Sequence, residues 1–457
     1  MVRKSFWIVA VLILALLQTF CAQNQQPPIL IDNVNIIPMD SEQVLADAAV
    51  TVENGVVTEI GTAGSLVAPA GAIEVDGRGR YLMPGLWDMH VHLMPNPEEG
   101  PEVFERTLET FVRVGVTSIR IMWGTPELLE WRDRIARGEV LGPRMVVSGP
   151  IIEGEPPPEL ADVIPVEGKV LVNDSTDGAN EVAREHAAGY DFIKVYNNIP
   201  ADAYNGIMAE SRALGMAVDG HVPFDVGLEG ALTQGQRSIE HLRGYVWHLV
   251  PEDAPNQPGR DLRSRTLAWN SADLSRIEEL ARWTMASGAW NCPTLAIRKL
   301  WAPQGEIDAY LETPEGQLLS EQGREFYTNR TSIPWLSNFS QQDFDDAYAG
   351  LAVQDSLLRA LVGVGAPILA GTDDYPLGYV LHRELRELVA AGLTPYQALE
   401  AATRNPRDFF ELTDGSGTVS VGSRADLVLI EGNPMEDIES TLRIAGVVVK
   451  GRWLEPN

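Results

Sequence analysis

Cysteine is almost missing from this chain, with Cys21 and Cys292 the only two in 457 residues. A lone thiol pair, one member of which sits next to an N-terminal leader, cannot build a disulfide framework, so stability must come from a core. Lysine is nearly as scarce at five residues, and the remaining basic side chains are arginine. Positive charge is scarce altogether. Against 35 basic residues stand 64 acidic ones, a formal net charge of −29. A surface of that sign repels a phosphate backbone and excludes nucleic acid as a partner. The apolar run Phe6–Leu17 is twelve residues, too short for a comfortable membrane span. Histidine is limited to seven residues, and four of them fall into one pattern.

What is there begins with an export signal. Arg3 and Lys4 precede the apolar run, the layout of a secretory leader. Residues 1–22 are therefore assigned as a signal peptide, and the protein is expected to be exported, to a bacterial periplasm or cell envelope. Cys21 is a candidate lipid anchor, although Gln18-Thr19-Phe20 before it departs from a lipobox. From Ile29 the chain reads as short strands, Ile29–Ile37, Ala49–Val52, Val56–Ile60 and Ala72–Val75, with Asn54-Gly55 marking a hairpin. Strand patterns return at Ala425–Ile430 and Ile444–Lys450. Between them, strand-like runs alternate with helical ones, the mark of repeated βα units. Pro395–Ala402, with Thr394 as N-cap and Pro395 at its first position, is the clearest helix. The expected fold class is α/β: a (β/α)₈ TIM barrel at 81–413, with a small β-sandwich formed from both chain ends, 23–80 and 414–457. Ala296–Gly350 is too long for an ordinary βα loop. Its aromatics, Trp301, Tyr310, Phe326, Tyr327 and Trp335, suit a lid or an oligomer contact, and a homo-oligomer is expected.

Six residues read as one metal site: His90, His92, Lys194, His221, His241 and Asp373. Each follows a short apolar run: Tyr81–Trp87, Phe192-Ile193, Ala217-Val218, Ser238-Ile239 or Pro367–Ala370. Strand ends that converge on one face are how a (β/α)₈ barrel assembles an active site. His-x-His on a strand sends both imidazoles to the same side, and neutral imidazole binds Zn²⁺ and similar ions. A protonated Lys194 would repel a cation. Burial and neighbouring positive charge both favour its neutral amine. That amine can react with CO₂ to a carbamate, an anionic bridge able to hold two metals, which in turn share a hydroxide for hydrolysis.

These residues stand in motifs that resemble the amidohydrolase superfamily over nearly the whole mature chain. The motifs are Pro84-Gly85-Leu86-Trp87-Asp88-Met89-His90-Val91-His92, Phe192-Ile193-Lys194-Val195-Tyr196, Asp219-Gly220-His221, Ile239-Glu240-His241, Ala370-Gly371-Thr372-Asp373 and the tail Gly422–Leu429. Within it the chain is most similar to the imidazolonepropionase-like, metal-dependent dipeptidase group, with its prolidase-like, Xaa-Arg dipeptidase-like and ochratoxinase-like members. The resemblance implies two divalent metals, Zn²⁺ first among them. His90 and His92 would hold the more buried ion, His221 and His241 the other, and carbamylated Lys194 would bridge them. Asp373 would join the buried ion and shuttle the proton. The implied activity is cleavage of amide bonds in dipeptides or N-acyl amino acids by a metal-bridging hydroxide. Opening of a cyclic amide, lactone or imidazolone ring is the alternative, and a non-catalytic binding protein would be marked by a lost ligand, which this chain does not show. The chain departs from the group at Arg120-Ile121-Met122-Trp123-Gly124, where an acid is lost and an indole gained, and after Lys194, where a Gly-rich run is missing.

Substrate contacts are expected from Tyr196, two residues beyond Lys194, from Arg243 and Tyr245 after His241, and from Trp123 as an apolar wall. For Arg243 the competing reading is a surface salt bridge. Among the other histidines, His186 reads as a solvated helix face and His248 as structural. His382 is either a support for the site or a residue on a helix surface. Cys292 reads as a small buried residue.

Overall fold

A computed structural model describes residues 26–96, 98–161 and 166–456. The signal segment and Cys21 lie outside the described residues. No helix among the described residues is long and apolar enough to cross a membrane.

The central layer is a sheet of seven parallel strands in ring order: Leu86–Val91, Val116–Ile121, Arg144–Glu153, Phe192–Val195, Ala217–Gly220, Ser238–Glu240 and Trp290–Cys292. The first two are buried at every position, as expected of a parallel sheet covered by helices on the outside and packed side chains inside. The expected eighth strand, Pro367–Ala370, makes one bridge, Ile368 to Asn291. It still closes the ring. Leu369 donates its N–H to Asn291 O at 2.8 Å, and Met89 donates to Ala370 O at 2.9 Å.

The run Tyr81–Trp87 divides, which moves the expected domain boundary. Arg80–Pro84 pairs with Leu427–Glu431 and with Ile29–Ile36 in the outer sheet, and the barrel begins at Leu86. Gly85 is the switch, because a Cβ there would lie 2.2 Å from Thr117 Oγ1. Only a residue without a side chain lets the first barrel strand start so close to the second.

The outer sheet is one continuous ladder built from both chain ends, from Arg452–Leu454 at one edge to Val56–Thr62 at the other. The Asn54-Gly55 hairpin forms with both residues at positive φ, 52° and 77°. The two ends of the sheet curl toward one another. Val56 bridges Arg424, and Ile31, Val50, Val57, Leu427 and Val448 share one apolar cluster. That enclosed core is what a sandwich needs.

Helices cover the barrel. Pro395–Ala401 carries the expected Thr394 cap, completed by Gln397 into a capping box. The segment 296–350 is a helical insertion containing Gln304–Leu311, Pro314–Gln317 and Glu321–Thr328. It holds two small apolar clusters of its own, one around Tyr310 and Tyr327, the other around Leu336 and Phe344. The long helix Gln341–Gly363 follows, where Ser340 and Asp343 form another capping box.

Candidate metal centre and active site

The six expected ligands arrive at the C-terminal ends of the barrel strands, and several meet at Asp373. Asp373 Oδ1 lies 3.1 Å from His92 Nε2 and 3.8 Å from His90 Nε2, and Oδ2 lies 3.6 Å from His241 Nε2. The ring centroids of His90 and His241 are 4.7 Å apart, and those of His221 and His241 are 4.9 Å apart. Lys194 is buried on the strand Phe192–Val195, and its Nζ has no hydrogen-bond partner among the described residues.

Local backbone geometry sets these positions. His241 and Asp373 both adopt left-handed backbone, φ 58° and 51°, and so does Thr294, φ 51°. Non-glycine residues hold that conformation at a cost of about 1–3 kcal/mol each, and such residues cluster at functional sites. Gly371 lets the chain pass against His90, since a Cβ there would stand 2.5 Å from Cys292 Sγ and 2.7 Å from His90 N. Asp88 then ties strand one to the Asp373 segment by accepting from Thr372 N at 3.1 Å and Thr372 Oγ1 at 2.8 Å.

The imidazoles are presented with one nitrogen engaged and the other free. His90 Nδ1 donates to Glu240 Oε2 at 2.7 Å, and His221 Nδ1 donates to Asn197 Oδ1 at 2.8 Å. His241 Nδ1 donates to Thr294 Oγ1 at 2.6 Å, whose own hydrogen goes to Pro293 O. Fixing Nδ1–H leaves Nε2 as the lone-pair donor, the usual support of a metal-binding histidine. His90 Nε2 is buried without a partner among the described residues. Burial holds His90 down to about 4 and pushes His221 and His241 well below the usual histidine range. All three are neutral, the form that binds a cation. Burial likewise lowers Lys194 to about 8, against the raising influence of Glu240 and Asp373. Burial alone would raise Asp373, but His90, His92 and His241 outweigh it and hold the carboxylate ionised. An ionised carboxylate, free Nε2 lone pairs and a stranded amine fit divalent metal. His90, His241 and Asp373 bring their donor atoms within 4.8 Å of one another.

Beneath this layer lies Arg120, fully buried. It donates to Glu240 Oε1 at 2.8 Å, Asp219 Oδ2 at 3.2 Å and Ser238 Oγ at 3.0 Å. Glu240 thus links this floor to His90. Beside Asp373, Asp374 accepts from Tyr327 Oη at 2.5 Å and pairs with Arg383. The helical insertion therefore reaches the loop that carries Asp373.

The tentative substrate residues divide. Tyr196 stacks on His221 with centroids 4.1 Å apart. Trp123 stands edge-on to His92 at 6.2 Å and donates its indole N–H to Gly168 O. Arg243 makes no salt bridge within 4.0 Å among the described residues, so the surface-pair reading fails, and its Nε is buried without a partner. Tyr245 points elsewhere. It is fully buried, with Oη 2.8 Å from Asn291 Oδ1 and 3.2 Å from Thr284 Oγ1, and is a packing residue of its helix. His382 is neither site support nor helix surface; it is buried between Thr441 Oγ1 and Val114 O. His186 is exposed, and His248 packs edge-on against Trp283. Cys292 is buried, as expected. Glu240, Asn197 and Thr294 were not singled out from sequence. Glu240 lies inside a quoted motif, where period-two alternation turns it away from the side of His241, and Asn197 lies one residue beyond another.

The amidohydrolase family model matches residues 81–243 and 353–454. The chain belongs to the amidohydrolase family. Members are hydrolases of carbon–nitrogen bonds, and this chain is such an enzyme on a barrel scaffold. The ochratoxinase of Aspergillus niger is 24% identical over 430 residues, covering 88% of this chain and 81% of that protein. A dihydroorotase of Pelobacter propionicus is 38% identical over 118 residues, only 25% of this chain and 27% of that protein. Among solved structures, a Xaa-Pro dipeptidase with methionine bound in its active site superposes with a TM-score of 0.66 at 20% identity, over 94% of this chain and all of that one. At that identity the likeness speaks to the fold.

Proposed function

We propose that this amidohydrolase cleaves dipeptides or N-acyl amino acids whose leaving half ends in a free carboxylate. The observation that carries the reading is Arg243: two residues from His241, buried at Nε, and without a carboxylate within 4.0 Å among the described residues. A half-buried guanidinium with its Nε left open in this way suits an anion from outside the protein. Tyr196, at the end of the strand Phe192–Val195, supplies a hydroxyl in the same field, since Arg243 acts on its ionisation. On the other flank, a cavity of about 140 Å³ opens beside His92, lined by Leu93, Val103, Phe104 and Leu377. It suits an apolar acyl group. The peptidase likeness and the ochratoxinase match support an open-chain amide.

His90, His92, His221, His241 and Asp373 would hold two divalent ions, Zn²⁺ by the nitrogen-rich donor set, with Lys194 as their carbamate bridge. Such ions polarise a carbonyl and lower the pKa of water. The chain's own residues do the rest. Asp373 takes the proton released as water adds to the carbonyl and returns it to the departing nitrogen. Arg243 and Tyr196 hold the carboxylate end, and Trp123 walls the acyl end. Export, a lipid at Cys21 and homo-oligomer formation belong to the same proposal and rest on the sequence pattern.

The test compares kcat/KM for an N-acyl amino acid with that of its C-terminal amide. A charge-assisted contact is worth about 1.5–3 kcal/mol, which predicts about tenfold or more in favour of the acid. Equal rates would remove the carboxylate site. Faster opening of uncharged lactones or cyclic imides would favour the ring-opening alternative, for which the local dihydroorotase match is the supporting observation.

A further inference from the structure

Arg243 is not the only unanswered cation at the mouth. Arg265, from the short helix Leu262–Leu267 that follows barrel strand six, also has a buried Nε without a partner among the described residues. Its guanidinium donates once, from Nη1 to Arg260 O at 2.6 Å, and lies 5.9 Å from the Phe224 ring. Phe224 is in turn fastened to the end of strand four, donating its N–H to Asn197 O at 2.8 Å. Arg265 therefore reaches over the strand ends that carry Lys194 and His221. It feels the charge of Arg243 directly, and both act on Tyr196. Asp261, the nearest acid acting on Arg265, is spent on capping its own helix through Ser264 N at 2.9 Å and the Ser264 hydroxyl. No carboxylate lies within 4.0 Å of Arg265 among the described residues. A third cation, Lys169, sits 4.3 Å from the Tyr196 ring but already has Glu153 at 3.9 Å.

Neither guanidinium therefore has a carboxylate in contact among the described residues; Asp373 and Asp261 act on them only from beyond 4.0 Å. Two like charges that act on one another in a half-buried place repel each other, and each has lost part of its hydration. The α-carboxylate of an ordinary substrate answers only one of them. We propose that the leaving half of the substrate is a dicarboxylate, an acidic amino acid of the aspartate or glutamate type, with one carboxylate on Arg243 and the other on Arg265. This deepens the reading of the previous section and rests on it. Hydrolysis then releases an acidic amino acid and the acyl half as its free acid. Water adds across the C–N bond, oxygen going to carbon and hydrogen to nitrogen.

The experiment uses the full-length enzyme as purified. With one acyl group held constant, kcat/KM is measured for the glutamate and glutamine derivatives. The expected preference is about tenfold or more for glutamate. Arg265→Met should bring that ratio close to one while leaving the glutamine derivative within about threefold of its original rate, and Arg265→Lys should keep part of the preference. In parallel, glutarate and its monoamide are titrated calorimetrically into the same protein, with glutarate expected to bind about tenfold tighter and Arg265→Met to erase the difference. Equal rates for the two derivatives overturn the proposal. So does an equal fall for both in Arg265→Met, because Arg265 would then share the α-carboxylate or support the fold. If no amide is cleaved yet glutarate still binds tighter in an Arg265-dependent way, the dicarboxylate site stands and the peptidase reading falls. If amides are cleaved without acid preference, the peptidase reading survives and this inference does not.

Discussion

The floor of the barrel buries Arg120, the mouth half-buries Arg243 and Arg265, and the two places treat arginine in opposite ways. At the floor, Arg120 and Arg237 face Asp219 and Glu240, two guanidiniums against two carboxylates, with Arg237 to Asp219 at 2.6 Å and Arg120 to Glu240 at 2.8 Å. Arg120 is further held by Met89 O at 2.6 Å and lies over Phe409. Every charge is answered inside the protein. At the mouth, Arg243 and Arg265 have no such answer among the described residues, and His90 Nε2 and Lys194 Nζ are equally stranded. A protein tolerates a buried unsatisfied group where something from outside completes it. The floor is architecture that orients His90 through Glu240. The mouth is a set of polar groups without partners among the described residues, where the proposed function places metal and anion.

If that division is sound, substitutions at the mouth should remove activity and spare stability. The largest expected effect is at Asp373. Asp373→Asn keeps the size of the side chain but loses the proton acceptor, and kcat should fall by about a hundred- to ten-thousand-fold with little change in melting temperature. Near-normal turnover would assign the proton shuttle to another group. Lys194→Ala should drop metal content from two ions per chain to one or none, read by elemental analysis. Added short carboxylic acids should restore part of the activity by replacing the lost bridge.

The floor should behave the other way round. Arg120→Met leaves Asp219 and Glu240 buried with only Arg237 between them, and breaking a buried charge set from one side costs about 3–5 kcal/mol. Denaturant unfolding should register that loss. A variant as stable as the parent would show that the two regions differ less than their contacts suggest.

Much of this contrast could not be read along the chain. The convergence of the six candidate ligands was legible because each one ends a short apolar run, and barrel order brings strand ends to one face. The Asn54-Gly55 hairpin and the Thr394 cap were legible because their signals are local. Partners that settle a charge are not local. Glu240 meets His90 across 150 positions and Arg120 across 120. Nothing near Tyr245 in sequence announces that its hydroxyl turns to Asn291. The Tyr81–Trp87 run looked like one strand because both sheets want the same apolar residues, and only the crowding at Gly85 divides it.

His382 offers a third arrangement between these extremes, a buried side chain whose partners are polar but uncharged. It is buried at the seam of barrel and outer sheet, with Nε2 donating to Val114 O at 2.9 Å and Nδ1 meeting Thr441 Oγ1 at 3.0 Å. Burial lowers its pKa from 6.5 to about 4, opposed by the Val114 contact and reinforced by Arg386. The folded-state value is depressed, so between pH 6.5 and about 4 the unfolded chain holds a proton that the folded chain refuses. Its contribution to stability is complete above pH 6.5 and is lost as pH falls through that window. The slope from a single proton is at most about 1.4 kcal/mol per pH unit. His382→Gln keeps a donor for Val114 O and removes the titration. Its melting temperature should lie a few degrees below the parent at pH 7 and converge on it toward pH 4. Parallel curves across that range would mean that His382 takes up its proton in the folded chain as readily as in the unfolded one, and that the seam is open to protons.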